Sequence, residues 1–329
     1  MALGTPGGNV SGAKKLILLR PRGFCAGVVR AIDVVKLALD MYGAPIYVRK
    51  EIVHNRHVVN ELREAGAVFV EELSEVPPRA RVIYSAHGVA PDVRKQAEER
   101  NLQVIDATCP LVTKVHLEAK RFAEHGSTVI LIGHKDHDEV IGTLGEAPAS
   151  TVVVSKAADV DRLHVPDPTR VRYLTQTTLS LDETRDIVER LREKFPLIQG
   201  PAAKDICYAT ENRQSAVKAV APTCQLLLVV GSKNSSNSRR LVEVCGKAGT
   251  QAYLIDDKSE VRPEWLDGVE TVAVTAGASA PENLVEGLVQ ALKKRGYADV
   301  EEISLKDEDV RFSLPNELEP HASRLVNIY

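Results

Sequence analysis

Short apolar runs rich in β-branched residues alternate with amphipathic stretches along most of the chain. The runs predict strands, whereas stretches whose apolar residues recur every three or four positions predict helices. After the first run, for example, Val28, Ile32 and Val35 fall on one face of a predicted helix. This alternation predicts an α/β protein with parallel-type sheets.

Three of the predicted strands lead to a cysteine and then to a helix. The strands are 16–19, 104–108 and the short run 205–206, and the cysteines that follow them are Cys25, Cys109 and Cys207. The cysteines recur at roughly even spacing, which indicates that each belongs to the first unit of a repeated set.

Polar loops follow six further predicted strands. They are 53–55, 85–88, 133–139, 175–178, 231–238 and 275–279. With the cysteine segments they give nine strand–loop–helix units in three sets of three. Because parallel α/β sheets bind ligands beyond the carboxyl ends of their strands, we expect three small sheets around one shared cavity.

The three sets also predict the domain boundaries. Residues 1–14 are expected to form a flexible leader, and residues 15–108 a first α/β domain that includes the N-terminal strand. The second and third α/β domains are expected over 109–205 and 206–297, followed by a tail, 298–329, that packs on the body.

The charge balance narrows the classes of partner. The 329 residues contain 42 basic and 45 acidic side chains, for a net charge of −3, and only 4% aromatics. This balance argues against a broadly basic nucleic-acid-binding protein and against a base-stacking surface. No apolar run reaches the length of a membrane span and no export signal is visible, so we expect a cytoplasmic protein without a membrane partner.

The five cysteines are too few for a disulfide scaffold, and none forms a C-x-x-C pair. Cys25, Cys109 and Cys207 are therefore unrelated core residues, zinc ligands with a fourth partner, or ligands of an iron–sulfur cluster. Their shared place at strand ends favours the two metal hypotheses. Three thiolates on a four-iron cubane would leave one iron free to act as a Lewis acid. Cys224 and Cys245 lack this pattern and are expected to be packing residues.

Several polar loops have the composition of an anion site. Imidazoles, hydroxyls, amides and backbone N–H groups at helix N-termini all favour phosphate oxygens. The candidates are His54, His87, His137 and the Ser-Ser-Asn run 235–237. The alternative for each histidine is a surface or capping role, which we also expect for the histidines outside strand ends: His57, His116, His125, His164 and His321. Neither a Walker A loop nor a G-x-G-x-x-G fingerprint is present.

Glu139 lies among these anion-binding candidates. A carboxylate beside a bound polyphosphate should have a raised pKa, and a protonated carboxyl group in a dry pocket is a proton donor. The structural alternative is a first-turn glutamate that the helix dipole favours. The residues alone leave both interpretations open.

The chain resembles the LytB/IspH family, the 4-hydroxy-3-methylbut-2-enyl diphosphate reductases, from about residue 15 to about residue 314. The motifs that carry the resemblance are 22–28 (RGFCAGV), 85–89 (SAHGV), 106–112 (DATCPLV), 175–180 (TQTTLS), 206–210 (ICYAT), 231–238 (GSKNSSNS) and 275–279 (TAGAS). The resemblance implies a pseudo-threefold trefoil of three α/β domains around a central iron–sulfur cluster. It also implies reductive dehydroxylation to isopentenyl and dimethylallyl diphosphate, the last step of the methylerythritol phosphate route.

The resemblance further implies the roles of individual residues. Cys25, Cys109 and Cys207 would hold one [4Fe–4S] cluster per chain, with one iron lacking a protein ligand. Glu139 and Thr177 would deliver protons, and Thr178 would contact substrate. The diphosphate would be held by His54, His87, His137, Ser235, Ser236, Asn237 and Ser279. A small carrier such as ferredoxin or flavodoxin would supply electrons.

One residue departs from the family pattern, which usually reads His-Pro-Glu where this chain has Asp138 between His137 and Glu139. Two other functional classes stay open at this point. A zinc-dependent or metal-free phosphohydrolase could use the same anion loops, and a non-catalytic iron or redox sensor could use the same cluster.

Overall fold

The computed structural model describes residues 14–327, so the expected leader lies, apart from Lys14, outside the described residues. The strands are β1 (Lys15–Arg20), β2 (Ile46–Arg49), β3 (Ala67–Val70), β4 (Arg81–Tyr84), β5 (Gln103–Asp106), β6 (Thr128–Ile132), β7 (Thr151–Val154), β8 (Val171–Thr175), β9 (Leu226–Val230), β10 (Gln251–Ile255), β11 (Thr271–Ala276) and β12 (Asp299–Ser304). The helices are α1 (Ala26–Tyr42), α2 (Arg56–Glu64), α3 (Pro91–Glu99), α4 (Pro110–Glu124), α5 (Asp138–Glu146), α6 (Ala157–Val160), α7 (Leu181–Lys194), α8 (Tyr208–Val220), α9 (Ser236–Lys247) and α10 (Glu282–Lys293).

The strands form three separate parallel sheets, which confirms the expected α/β class. Their strand orders are β3-β2-β4-β5, β7-β6-β8 and β10-β9-β11-β1-β12. In each sheet the two strands that precede the polar loops are parallel neighbours, so both loops leave the same edge. No helix within residues 14–327 has both the length and the apolarity needed to cross a bilayer.

The structure differs from the expectation that β1 belongs with residues 46–106. β1 pairs in parallel with β11 and β12, with Leu16 opposite Val272. Leu16, Ile17 and Leu19 are all buried, so this strand is apolar on both faces and fits the interior of any of the sheets. Residues 299–304, expected to lie in a tail, form β12 and complete this sheet.

The expected strand at 205–206 is absent, and only an isolated bridge between Gln199 and Arg172 extends the sheet beyond β8. The reason is visible at Asp205. Its side-chain carboxylate accepts a hydrogen bond from the backbone N–H of Thr175 at 2.8 Å and therefore replaces a ladder bond.

Each cysteine lies where the chain passes from one sheet to the next. Cys25 follows β1, but α1 packs against the β2–β5 sheet. Cys109 follows β5, and α4 packs against β6 and β8. Cys207 follows the β6–β8 sheet, and α8 packs against β1 and β9. The three linking helices therefore join the sheets in a closed cycle, with a cysteine at each link.

Candidate active site

One central cavity brings together every residue that the sequence predicted for the site. It is lined by Cys25, Cys109, Cys207, His54, His87, His137, Glu139, Thr177, Thr178, Ser235, Ser236, Asn237 and Ser279. Cys224 and Cys245 lie instead in the core between β9 and the helices α8 and α9, as expected for packing residues. The loops at the carboxyl ends of three sheets thus meet at one place.

The same backbone hydrogen bond fixes each cysteine. The N–H of Cys25 donates to the carbonyl of Ala278 at 3.1 Å. Cys109 donates to Ala86, and Cys207 donates to Thr177, both at 3.0 Å. The three acceptors lie in the polar loops that follow β4, β8 and β11, so the repeated sequence pattern corresponds to a repeated local structure.

The cysteine sulfurs face a common space. A Cβ built on Gly27 would lie 2.8 Å from Sγ of Cys109 and 3.9 Å from Sγ of Cys25, so a side chain there would fill that space. Burial, together with the nearby thiol of Cys25, raises the pKa of Cys109 to about 12 and that of Cys207 to about 11. A bound cation would reverse this preference, because it stabilises the thiolate form.

The spacing of the sulfurs discriminates between the metal hypotheses. Tetrahedral zinc, with Zn–S bonds of about 2.3 Å, would place its sulfur ligands about 3.8 Å apart. Among residues 14–327, the sulfurs of Cys25, Cys109 and Cys207 do not all lie within 4.8 Å of one another. The donor set therefore fits a polynuclear iron–sulfur group, which takes thiolate ligands at its corners, better than one zinc ion.

Three imidazoles, of His54, His87 and His137, form one wall of the cavity, the imidazole wall. The rings of His54 and His87 stack with centroids 4.0 Å apart, and the ring of His137 meets both edge-on at 5.5 and 5.9 Å. Nδ1 of His54 lies 3.2 Å from the carboxylate of Glu51. Nδ1 of His137 accepts a hydrogen bond from the backbone N–H of Glu139 at 3.2 Å, which leaves Nε2 to carry the proton.

Burial keeps two of these imidazoles uncharged. Desolvation, followed by repulsion from His54, lowers the pKa of His137 to about 3 and holds the pKa of His87 well below its usual value. Ligand atoms of His54, His87 and Asp138 also lie within 4.8 Å of one another, so an acidic side chain borders the imidazole wall.

Glu139 lies in the first turn of α5 but is only 2% exposed. Its Oε1 accepts from the backbone N–H of Thr177 at 2.6 Å, and its Oε2 accepts from the Thr177 hydroxyl at 3.0 Å. Desolvation outweighs both hydrogen bonds and raises the pKa of Glu139 to about 7. The carboxyl group is therefore poised to hold or release a proton near neutral pH.

The Ser-Ser-Asn run supplies buried hydroxyl and amide groups at the start of α9. Ser235 is the N-cap, and its Oγ accepts from the N–H of Ser238 at 3.3 Å. Oδ1 of Asn237 accepts from the N–H of Ala278 at 2.9 Å, and Ser279 donates its hydroxyl to the carbonyl of His54 at 2.9 Å. Ser279 thus joins the loop after β11 to the loop after β2, in a different sheet, at the edge of the cavity.

Some residues of the site had no assigned role in the sequence prediction. Sγ of Cys207 lies 3.1 Å from the hydroxyl of Thr210, and Phe312 of the C-terminal tail lines the cavity. Thr210 follows Cys207 by three residues, the spacing of an N-cap contact, and this signal was available in the sequence. His116 is buried beside Glu146 at 3.0 Å, whereas the sequence predicted a surface or capping role.

Comparisons with known proteins agree with this geometry. A family model described as LytB protein matches residues 16–293. A protein of Mycobacterium sp. (strain JLS) named 4-hydroxy-3-methylbut-2-enyl diphosphate reductase is 56% identical over 328 residues, 98% of each chain. A protein of the same name from Nocardia farcinica is 56% identical over 316 residues, covering 96% of this chain and 94% of that one.

A solved structure gives the same answer for the fold. The structure of E-1-hydroxy-2-methyl-but-2-enyl-4-diphosphate reductase from Plasmodium falciparum superposes with a TM-score of 0.90 at 39% identity, covering 96% of this chain and 98% of that one. The fold is therefore shared over most of both chains. With the family model matching most of the sequence, the chain belongs to the LytB family.

Proposed function

We propose that the chain reduces 4-hydroxy-3-methylbut-2-enyl diphosphate to isopentenyl and dimethylallyl diphosphate, the last step of the methylerythritol phosphate route. The observation that carries this proposal is the meeting of three cysteine thiols, three imidazoles and a buried Glu139 in one cavity. Relatives over nearly the full length bear the name of this reductase.

The LytB family implies an iron–sulfur cofactor. We assign to Cys25, Cys109 and Cys207 one [4Fe–4S] cluster per chain, with one iron lacking a protein ligand. The spacing of the thiols and the space beside Gly27 support this assignment. When bound, the cluster supplies electrons and a Lewis-acidic iron for the substrate oxygen.

The imidazole wall and the start of α9 would bind the diphosphate. The set is His54, His87, His137, Ser235, Ser236, Asn237 and Ser279. Neutral imidazoles donate one N–H each, and a bound anion would favour their protonation and so strengthen the contact. The backbone N–H groups at the N-terminus of α9 add to the attraction.

Glu139 is the proposed proton donor for the leaving hydroxyl. Conversion of the alcohol to an alkene product consumes two electrons and two protons and releases one water. The Glu139 carboxyl group would protonate the departing oxygen, and the Thr177 hydroxyl, 3.0 Å away, would orient and relay that proton. Thr178 lies beside Thr177 on the cavity wall and would contact the substrate.

The remaining partner is an electron donor, for which we propose a small carrier such as ferredoxin or flavodoxin. The five cysteines are free, which suits a reducing compartment, and we propose the cytoplasm. The small diphosphate is the other ligand, and the mildly acidic composition gives no reason to propose a nucleic-acid partner.

Anaerobic purification followed by iron and sulfide quantitation and a turnover assay tests the proposal. We expect about four irons per chain, a brown protein, and water-forming reduction of the substrate with a reduced dye as the electron source. A colourless protein that releases phosphate would identify a hydrolase. A brown protein that binds the diphosphate but never turns it over would identify a sensor.

A further inference from the structure

A basic side chain follows each of the three site cysteines by five or six residues. Arg30 lies on α1 after Cys25, Lys114 on α4 after Cys109, and Arg213 on α8 after Cys207. Arg213 is fully buried, with 0% exposure, although buried arginines are rare without partners. None of these cations belongs to the catalytic arrangement proposed above.

Each cation bonds to the backbone just before the next cysteine in the cycle. Nη1 of Arg30 donates to the carbonyl of Thr108 at 3.1 Å, one residue before Cys109. Nη2 of Arg213 donates to the carbonyl of Gly23 at 2.8 Å, two residues before Cys25.

Lys114 makes the corresponding contact before Cys207. Its ammonium group donates to the carbonyls of Ala203 at 2.6 Å and Lys204 at 3.3 Å. It also lies 3.0 Å from the carboxylate of Asp205. The three cation contacts therefore run in one rotational sense, from each cysteine helix to the segment that ends at the following cysteine.

The two arginines also hold the C-terminal tail across the cavity. Nε of Arg30 donates to the carbonyl of Ser313 at 2.6 Å. Nη1 of Arg213 contacts both carboxylate oxygens of Glu308, at 3.0 and 3.2 Å. Phe312 lies between these two anchor points and lines the cavity. The planar fork of arginine permits such contacts with two elements at once, which a lysine at the same place cannot reproduce.

We propose that Arg30, Lys114 and Arg213 are positioning residues that close a ring around the iron–sulfur site, each fixing one cysteine segment against the preceding cysteine helix. This inference rests on the proposed cofactor. The ring sets the separation of the three sulfurs before the cofactor is present and resists their spreading afterwards. Removal of groups that hydrogen-bond metal ligands typically costs about 10–100-fold in metal affinity, and we expect a comparable effect from these contacts to the ligand-bearing segments.

Removal of one cation at a time from the anaerobically loaded protein tests the ring. Arg30→Met, Lys114→Met and Arg213→Met should each release iron to a chelator about 10–100-fold faster than the unmodified chain. After one-electron reduction of the cluster, the electron paramagnetic resonance signal of each variant should be broader, because the sulfurs adopt several separations. Lys114→Arg, which keeps both charge and reach, should release iron about as slowly as the unmodified chain. Arg213→Lys should release iron at a rate between those of the unmodified chain and Arg213→Met.

Two matched controls separate this effect from general damage. Arg121→Met changes a half-exposed cation on the same helix as Lys114 that pairs with Glu118. Arg240→Met removes an arginine that is 8% exposed and contacts Glu183, Glu243 and His134, but no segment that ends at a site cysteine. Both should release iron at the rate of the unmodified chain.

Equal rates of iron release from the ring variants and their controls would contradict the proposal that the three cations position the cysteines. Arg30 and Lys114 are only partly buried, so their variants decide the question even where Arg213→Met does not fold. An unmodified chain that takes up no iron or sulfide would instead refute the proposed cofactor, and the two failures are therefore distinguishable.

Discussion

The carboxylate of Glu139 accepts both hydrogens that Thr177 offers, from its backbone N–H at 2.6 Å and from its hydroxyl at 3.0 Å. This paired contact holds an almost completely buried acid against the cavity at a fixed angle. Because the backbone donor stays in any side-chain variant, the two residues can be tested separately.

Glu139→Gln should reduce kcat by about 100–10,000-fold, the usual contribution of a positioned acid, while iron content and KM stay close to normal. Glutamine keeps the size and one acceptor but carries no acidic proton. The matched control is Glu146→Gln at the other end of α5, where the carboxylate contacts Arg94 and His116 instead of the cavity. Normal turnover in Glu139→Gln would contradict the assignment of Glu139 as the proton donor.

The pH dependence should identify the same group. Glu139 has a pKa raised to about 7, so its acid form is lost as the pH rises above 7 and kcat should fall on that side. The Thr177 hydroxyl stabilises the ionised form, so Thr177→Val should raise the pKa and move this limb to higher pH. A pH profile of kcat for the unmodified protein and for Thr177→Val measures the shift. A fall in kcat that moves to lower pH in the variant would contradict the stabilisation of ionised Glu139 by the Thr177 hydroxyl.

Binding of a diphosphate should be accompanied by proton uptake. His87 and His137 have lowered pKa values and are neutral at pH 7 in the free protein. A bound anion favours the charged imidazolium, so it raises these pKa values and draws protons from the buffer. Calorimetric titration with inorganic pyrophosphate in two buffers of different ionisation enthalpy should give different apparent enthalpies. Identical enthalpies would show that the imidazoles keep their protonation state.

The cysteines divide into two groups that iron analysis can separate. Cys25→Ser, Cys109→Ser and Cys207→Ser should each hold well under the normal iron and sulfide per chain, because a thiolate ligand is lost. Cys224→Ala and Cys245→Ala remove buried thiols that lie outside the cavity and should keep the full content. Loss of iron in the second group at unchanged thermal stability would mean that the ligand set is wrongly assigned.

Asp138 is a test of the departure from the family pattern. It is the first residue of α5, where proline is favoured, and its carboxylate borders His54 and His87. Asp138→Pro should fold normally and lower KM about fivefold, the effect of roughly 1 kcal/mol between close charges in a water-like medium. Asp138→Ala removes the charge without adding the proline ring, so it separates the effect of the charge from that of the backbone. A higher KM in both variants would show that the carboxylate assists substrate binding.

The sequence predicted the site better than it predicted the sheets. The end of a strand can be located in the sequence, because a residue such as Cys25, His54 or Glu139 follows an apolar run. These three side chains all line the one cavity. The sequence does not show which strand pairs with which. The strand β1, for example, is apolar on both faces and is compatible with more than one sheet. Contacts with side chains of neighbouring elements determine where a strand pairs or ends. Asp205 is an example, since its carboxylate takes the place of a ladder hydrogen bond at Thr175.

The ring of cations escaped prediction for a related reason. Arg30, Lys114 and Arg213 look like ordinary helix surface residues, and only the packing of helices against the next sheet brings them to carbonyl groups far along the chain. For Glu139 the structure shows both a place in the first helical turn and burial in the cavity, and its role as a proton donor stays a prediction.

The place of β1 has a consequence for biosynthesis. Among the described strands β1 is translated first, whereas its neighbours β11 and β12 are translated last. Until they arrive, the segment that carries Cys25 has no sheet to hold it. We therefore expect iron and sulfide to be delivered only after β11 and β12 have been translated and have paired with β1.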